Sequence, residues 1–356
     1  MSSMESSNLT IDTFRRMFEA GKRFDGRNLL ENRKIDLTFE VSNKAEGSAR
    51  VKFGKTDVIA GVKLQVGEPY PDSPNKGNLM VSGDLLPLAS PRFEIGPPNF
   101  YAIELSRLVD RAIRESGMID MDKLVITPGE KVWTVIIDIY PINDDGNLID
   151  AATFAASAAL RNTFLPELNK EGKIDYDKKT DEKLPLTKDI CPLSITFYKL
   201  GNTLLLDPTR EESESSEVRI TFGVSFWNKQ LMINSSQKSG PVPFIQEEIE
   251  KMMQIIPKKF DELNEKLKKF FWVYKLLKLP FNKMENKTKN QEKNLTKYEI
   301  ARIMGARALQ IAMDAPLLVK ISDSELKEMK YDAIKIADYE LKSNVLPIEI
   351  HRPIPK

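Results

Sequence analysis

Residues 11–21 place Ile11, Phe14, Met17 and Phe18 at helical spacing and end on Gly21, which predicts a short amphipathic helix with a glycine cap. The period then changes. KIDLTFEV, SARVKFG and TDVIAGVKLQV alternate apolar and polar positions, and the Gly-Lys pair joining the last two reads as a tight turn between strands. Helical spacing returns over 102–116, where Leu105, Leu108, Val109 and Ala112 form an i, i+3, i+4, i+7 stripe. GPPNF (96–100) precedes it as a rigid extended lead-in, because consecutive prolines cannot continue a helix. KVWTVIIDIYPI then reads as a strand, NDDGN (143–147) as an Asp-Gly hairpin turn and DAATFAASAALRNTF as a small-residue helix. Residues 166–183, charged and poor in apolar positions, read as an exposed loop. Short strands over 193–198, 203–207, 218–226 and 230–235 follow, and a long amphipathic helix over 244–271 closes the pattern. Strands and helices in this order predict a layered α+β architecture.

A second pattern starts after a break. Ten lysines stand against two glutamates over 266–297, and Lys, Asn and Gln dominate 282–294. The domain organisation expected is therefore 1–271, a basic linker over 272–294, and a small mostly helical domain over 295–356. Thr296-Lys-Tyr-Glu299 matches a capping box and opens a helix carrying Ile300, Ile303, Met304, Leu309, Ile311 and Met313.

Composition narrows the chemistry. With 53 Lys+Arg against 52 Asp+Glu, net charge predicts no polyanionic partner, so a nucleic-acid role must rest on local clustering. The one cysteine, Cys191, rules out an internal disulfide and fits a reducing interior. The one histidine, His351, excludes zinc sites built from Cys/His sets and leaves Ser-His-Asp chemistry without a base. No leader-like apolar segment and no run of 18 apolar residues is present, so a cytoplasmic protein without membrane contact is expected.

Three features could carry function. On the helix from 102, Arg107, Arg111 and Arg114 recur on the face opposite the apolar stripe, a ladder able to clamp successive phosphates of a single strand. The plainer alternative is a solvated face whose arginines pair with Glu104 and Asp110. Asp207, Glu211, Glu212, Glu214 and Glu217 could hold Mg²⁺ if their carboxylates converged, although charge-rich turns are commoner than metal sites. GEPYPDSPNKGN (67–78) offers Tyr70 for base stacking but reads better as a turn or subunit contact. No glycine-rich phosphate cradle is present, and no cofactor is expected.

Residues 22–271 resemble the RNase PH-like subunits of the archaeal exosome, in particular the partner subunit that does not cleave RNA. The resemblance is carried by RFDGRNLLENRKIDL, GSARVKFGKTDVIAGVKL, PNKGNLMVSGDLLPLA, AIELSRLVDRAIRESG, DKLVITPGEKVWTVIIDIY and QKSGPVPFIQEEI. It implies an RNase PH-like α+β fold and a hexameric ring alternating with a catalytic relative. Single-stranded RNA would be threaded through that ring and shortened from its 3′ end by phosphate attack, with RNA-binding cap subunits as further partners. It also implies that Arg107 and Arg111 reach RNA at the neighbouring active site, with less support for Arg114. Catalytic relatives carry a Gly-Thr/Ser-Arg signature that holds the attacking phosphate, where this chain has Gly146-Asn147-Leu148. At the positions of their paired aspartates it has Ser213 and Arg219. The resemblance therefore implies a subunit without catalytic residues; the competing reading is an active phosphorolytic 3′–5′ exoribonuclease using another phosphate site, and a third is a scaffold without RNA contact.

Residues 294–355 resemble subunit K of archaeal RNA polymerase, the relative of bacterial omega, through NLTKYEIARIMGARALQIAMDAPLLV and DAIKIADYELKSNVLPIEIHRPIP. That resemblance implies docking on the largest polymerase subunit without chemistry. Gly305 and Ala306 would allow close helix contact, and Arg302 and Arg307 would pair with acidic polymerase surfaces. Asp314 and His351 depart from the family's usual glycine and arginine.

Overall fold

The computed structural model describes residues 7–168, 174–187, 190–227, 230–278, 297–312, 317–319 and 331–343. The chain divides into two compact units, Met1–Trp272 and Val273–Lys356.

The first unit opens with α1 (Asn8–Glu19), whose Ser7 side chain accepts from Thr10 N at its N-cap. Its Phe14 and Phe18 are buried against Tyr198, Leu200 and Leu205, so the amphipathic pattern of 11–21 produces a packing helix. Strands β1 (Ile35–Phe39), β2 (Gly47–Phe53) and β3 (Thr56–Gly67) pair antiparallel in sequence order. β3 then pairs with β6 (Lys131–Asn143), which also takes β4 (Asn78–Gly83) in parallel and the short β5 (Val125–Thr127). The second sheet has the order β10 (Thr203–Leu206), β9 (Leu193–Leu200), β11 (Val218–Trp227), β12 (Gln230–Ser239).

Two helices lie between these sheets. α3 (Leu148–Arg161) packs on β2 and β3 from one sheet and β9 from the other, and every residue from Ile149 to Leu160 is buried. Its run of alanines follows from that position: a helix covered on all sides needs small side chains to approach both sheets closely. α2 (Phe100–Arg114) packs on α3, on β4, and on β11 and β12. Only its Leu105/Leu108/Val109/Ala112 side is buried, which leaves the opposite side in solvent. α4 (Arg210–Ser215) is a short helix with a capping box between Thr209 and Glu212. α5 (Gln246–Lys278) buries Met252, Ile256, Phe260, Leu263 and Leu267, with Phe260 5.1 Å from Phe226 between ring centroids.

Three expectations are revised. Residues 166–183 are not a loop: β7 (Phe164–Leu168) and β8 (Ile174–Lys183) form an antiparallel hairpin whose backbone pairing needs no apolar stripe. NDDGN is not a hairpin turn but leads from β6 into α3, with Gly146 and Asn147 both at positive φ. The same turn chemistry serves any connection needing left-handed backbone, so Asp-Gly alone cannot say which element follows. Finally, α5 continues through Lys278, into the stretch expected as linker from 272.

In the second unit, α6 (Lys297–Ala312) packs against α7 (Ala333–Lys342), which Asp332 caps by accepting from Ile334 N. Ile303, Ala308, Ile336 and Ala337 are buried there. Thr296 of the expected capping box and residues Asp314 and His351 lie outside the described residues.

Asp150, in the first turn of α3, lies wholly within this core and accepts from Thr196 N (3.1 Å) and Thr196 Oγ1 (2.7 Å). Burial outweighs these donors and pushes its pKa from 3.8 up to about 7. Between those two values the folded chain holds a proton that the unfolded chain has released. The stability contributed by the neutral acid is therefore full below the unfolded pKa and is lost as pH rises toward about 7, a loss on the order of 4 kcal/mol. Denaturation midpoints followed from pH 4 to 8 should fall across this window in the native chain and lie nearly flat in Asp150→Asn; equal slopes in both proteins would refute the assignment.

Candidate nucleic-acid interface

The exposed side of α2 is set by how its buried side is held. Asn99 caps the helix by accepting from Ala102 N at 2.9 Å. Gly223 on β11 lets it approach the second sheet, since a Cβ there would stand 3.2 Å from Ala112 Cβ and 2.4 Å from Ser235 Oγ. Arg107, Arg111 and Arg114 consequently project into solvent, as the spacing predicts.

Their partners separate the three. Arg114 is occupied, with Nη2 2.7 Å and Nε 3.0 Å from the Asp110 carboxylate and Nη2 donating to the Leu79 carbonyl at 2.9 Å. Glu104 does not pair with the ladder: it is buried and accepts from Arg219 Nη2 at 2.5 Å. Arg107 and Arg111 thus make no hydrogen bond or ion pair among the described residues, and two guanidinium groups one helical turn apart keep all their donors for a ligand.

The acidic cluster around Asp207 does the opposite. Asp207, nearly inaccessible and at φ 47°, accepts from Arg33 N (2.7 Å), Arg33 Nε (3.0 Å), Arg33 Nη2 (2.7 Å) and Asn147 Nδ2 (2.9 Å). Burial raises its pKa, but the Arg33 guanidinium outweighs burial and holds the carboxyl below the ordinary range. Arg33 also donates to the carbonyls of Asp145 (2.8 Å) and Gly146 (3.1 Å). Gly146, at φ 84°, lies so close to the next segment that a Cβ would fall 2.6 Å from the Pro208 carbonyl oxygen. The Gly146-Asn147-Leu148 stretch is therefore closed by the chain's own groups.

The remaining carboxylates diverge. Glu212 is held by the buried Arg23, Glu214 by Arg210 and Arg92 at 3.0 Å each, and Glu217 by Arg15 at 2.9 Å. No group of three metal-ligating side chains forms among the described residues. Cys191 is buried, and burial pushes its thiol pKa up, away from reactivity. Among the described residues no helix is long and apolar enough to cross a membrane.

In the second unit the expected docking set divides. Arg307 is corrected: its guanidinium is buried and bound to Glu340, Nε to Oε2 at 2.5 Å and Nη2 to Oε1 at 3.1 Å, so it joins α6 to α7 and presents no charge to a partner. Glu340 also accepts from Leu318 N at 2.6 Å. Gly305 is exposed, and among the described residues nothing lies near the place a Cβ would occupy. The side chains of Arg302 and Ala306 lie outside the described set.

Comparison with known proteins agrees with this architecture. Residues 31–166 match the 3′ exoribonuclease family, domain 1, and residues 191–255 match domain 2 of that family. Residues 291–348 match RNA polymerase Rpb6. The chain is 44% identical over 249 residues to exosome complex component Rrp42 of Methanothermobacter thermautotrophicus, covering 70% of this chain and 90% of that protein. It is 48% identical over 219 residues to exosome complex component Rrp42 of Archaeoglobus fulgidus, covering 62% and 80%. Among solved structures it resembles a chain of the Archaeoglobus fulgidus exosome with RNA bound to the active site, at TM-score 0.66 and 41% identity, over 73% of this chain and 98% of that one. An archaeal exosome core gives 0.64 and 38%, over 73% and 97%.

The Arg33–Asp207 geometry carries a stability prediction. Asp207→Asn leaves the buried Arg33 guanidinium with only the longer, partly exposed Asp145 carboxylate at 3.3 Å as counter-charge, a change that costs about 3–5 kcal/mol. Chemical denaturation should show that loss, whereas a cost under about 1 kcal/mol, the range of an exposed pair, would mean that the pair holds nothing together.

Proposed function

Because the chain belongs to the Rrp42 family of archaeal exosome components and has the RNase PH fold, we propose that residues 1–271 form a ring subunit that guides RNA without cleaving it. It alternates with a catalytic relative in a hexamer, beneath RNA-binding cap subunits, and the ring shortens single-stranded RNA from the 3′ end by phosphorolysis. The observation that carries this reading is the contrast between two sets of arginines. Arg107 and Arg111 stand free on an exposed helix face. Every arginine near Asp207 is bound by the chain's own carboxylates and carbonyls. Phosphates approaching α2 meet exposed, uncommitted forked donors, while around Asp207 the guanidinium groups are engaged by the fold and the one spare nitrogen among the described residues there, Arg27 Nη2, is buried.

The ring contact is supported by the exposed side chains of Met80 on β4, Leu86, Leu88 and Ile95 after it, and Phe100, Tyr101 and Ile103 in the first turn of α2. Exposed apolar side chains at this density along one stretch of chain, with Phe100 and Tyr101 in ring contact at 6.0 Å, favour a protein-binding surface. Arg107 and Arg111 lie on the helix whose first turn carries Phe100, Tyr101 and Ile103, which favours RNA contact near a subunit junction. Arg114, already bound to Asp110, contributes less.

Residues 295–356 dock on the largest subunit of RNA polymerase, a reading supported by the Rpb6 match and by the open surface at Gly305. In cells making the intact chain, one polypeptide then links RNA decay to transcription. Recovery of ring and polymerase subunits with the intact chain supports that link; recovery of separate halves alone would end it.

The alternative, an active phosphorolytic exoribonuclease, predicts a different outcome in one assay. Single-stranded RNA in phosphate buffer should persist with this chain alone and be degraded once the catalytic relative is added. Arg107→Ala with Arg111→Ala should slow the mixed reaction and lower the slope of log affinity against log salt by about 1.4, or roughly 0.7 per lost phosphate contact. Phosphorolysis by the purified chain alone would overturn the proposal.

A further inference from the structure

Arg107 has two carboxylates within helical reach, and both are engaged elsewhere: Asp110 by Arg114 and Glu104 by Arg219. Glu104 precedes Arg107 by three residues, the spacing at which an acid and a base on one helix face meet. Its side chain is nonetheless turned inward, 6% exposed, toward Arg219. Arg219 belongs to β11, paired with Tyr198 of β9 on one side and Ser239 of β12 on the other, so its backbone is fixed within the sheet. Its side chain is 21% exposed and its Nη2 donates to the Glu104 carboxylate on α2.

We infer that Arg219 is a positioning residue for RNA binding: by holding Glu104 inward it keeps that carboxylate away from Arg107. The inference rests on the reading of Arg107 and Arg111 as phosphate contacts and names what keeps that site open. Without Arg219 the Glu104 carboxylate would be buried and unpaired, a costly state. The nearest cation on its own helix is Arg107, and a guanidinium already bound to a carboxylate has lost both the net charge and the forked donors that a phosphate needs. Asp110 and Arg114 show the same event completed four residues apart on this helix. Arg219 thus acts on RNA without touching it.

The test uses the full-length chain mixed with the catalytic relative in phosphate-free buffer, with a fluorescent single-stranded oligonucleotide as probe and affinity measured across a salt series. Arg219→Met should weaken binding several-fold and lower the salt slope by about 0.7, the loss of one phosphate contact. Adding Glu104→Gln to Arg219→Met removes the competing charge and should restore both affinity and slope. Wild-type affinity in Arg219→Met would overturn the inference, as would a weakening that Glu104→Gln fails to rescue, which would mark Arg219 as merely structural. Unchanged binding in Arg107→Ala with Arg111→Ala would instead sink the underlying RNA reading, so the two failures are distinguishable.

Discussion

Arg33 and Asp207 leave water together, and much of the first unit is arranged around that fact. A carboxylate with almost no solvent contact needs a cation and several donors to remain ionised, and Arg33 supplies its backbone N–H and the Nε/Nη2 edge of its guanidinium. The same guanidinium reaches the carbonyls of Asp145 and Gly146, which ties the approach to β1, the start of α3 and the end of β10 at one point. Since α3 is the layer on which both sheets rest, the ion pair fixes where that layer begins. The left-handed backbone at Asn147 and Asp207 is tolerated because these contacts over-determine it.

The distribution of arginines follows a similar logic. Arg15, Arg23, Arg33, Arg92, Arg210 and Arg219 are each matched to a carboxylate of the fold, which is how a chain of net charge +1 can still present isolated positive sites. Neutrality overall says little about a helix face on which two of three arginines are unmatched. Electrostatic attraction for a phosphate backbone depends on the local excess, and α2 has one.

What the chain order reveals, and what it hides, depends on distance along the chain. The longer helices of the first unit, most strands of the two sheets and the arginine ladder follow from hydrophobic period, because each is a local property, whereas the short β4, β5 and α4 carry too few residues to show one. The β7–β8 hairpin was hidden by its charged side chains, and the NDDGN connection by turn chemistry that several structures share. Long-range pairs leave no periodic signal at all: Arg33 and Asp207 are 174 residues apart, and Glu104 and Arg219 are 115 apart. Arg307 was misread as a docking residue for the same reason, since its partner Glu340 is 33 residues away. Even the plainer reading of the ladder, with Glu104 as its counter-charge, was reasonable locally and failed only when the other side of Glu104 came into view.

Those distant pairs bear on the proposed function as well as on the fold. A family of ring subunits can share one scaffold while the choice of which acid meets which base differs from member to member, with little effect on the hydrophobic layers. Here the groups around Asp207 bind one another, so that region gains order and its guanidinium groups are largely engaged within the fold. On α2 the inward turn of Glu104 removes one acid within reach of Arg107, on the face proposed to meet a phosphate strand. Each arrangement depends on a side chain supplied from a remote part of the chain. A substitution far from α2 in sequence can therefore open or close the proposed RNA surface without changing a residue on it.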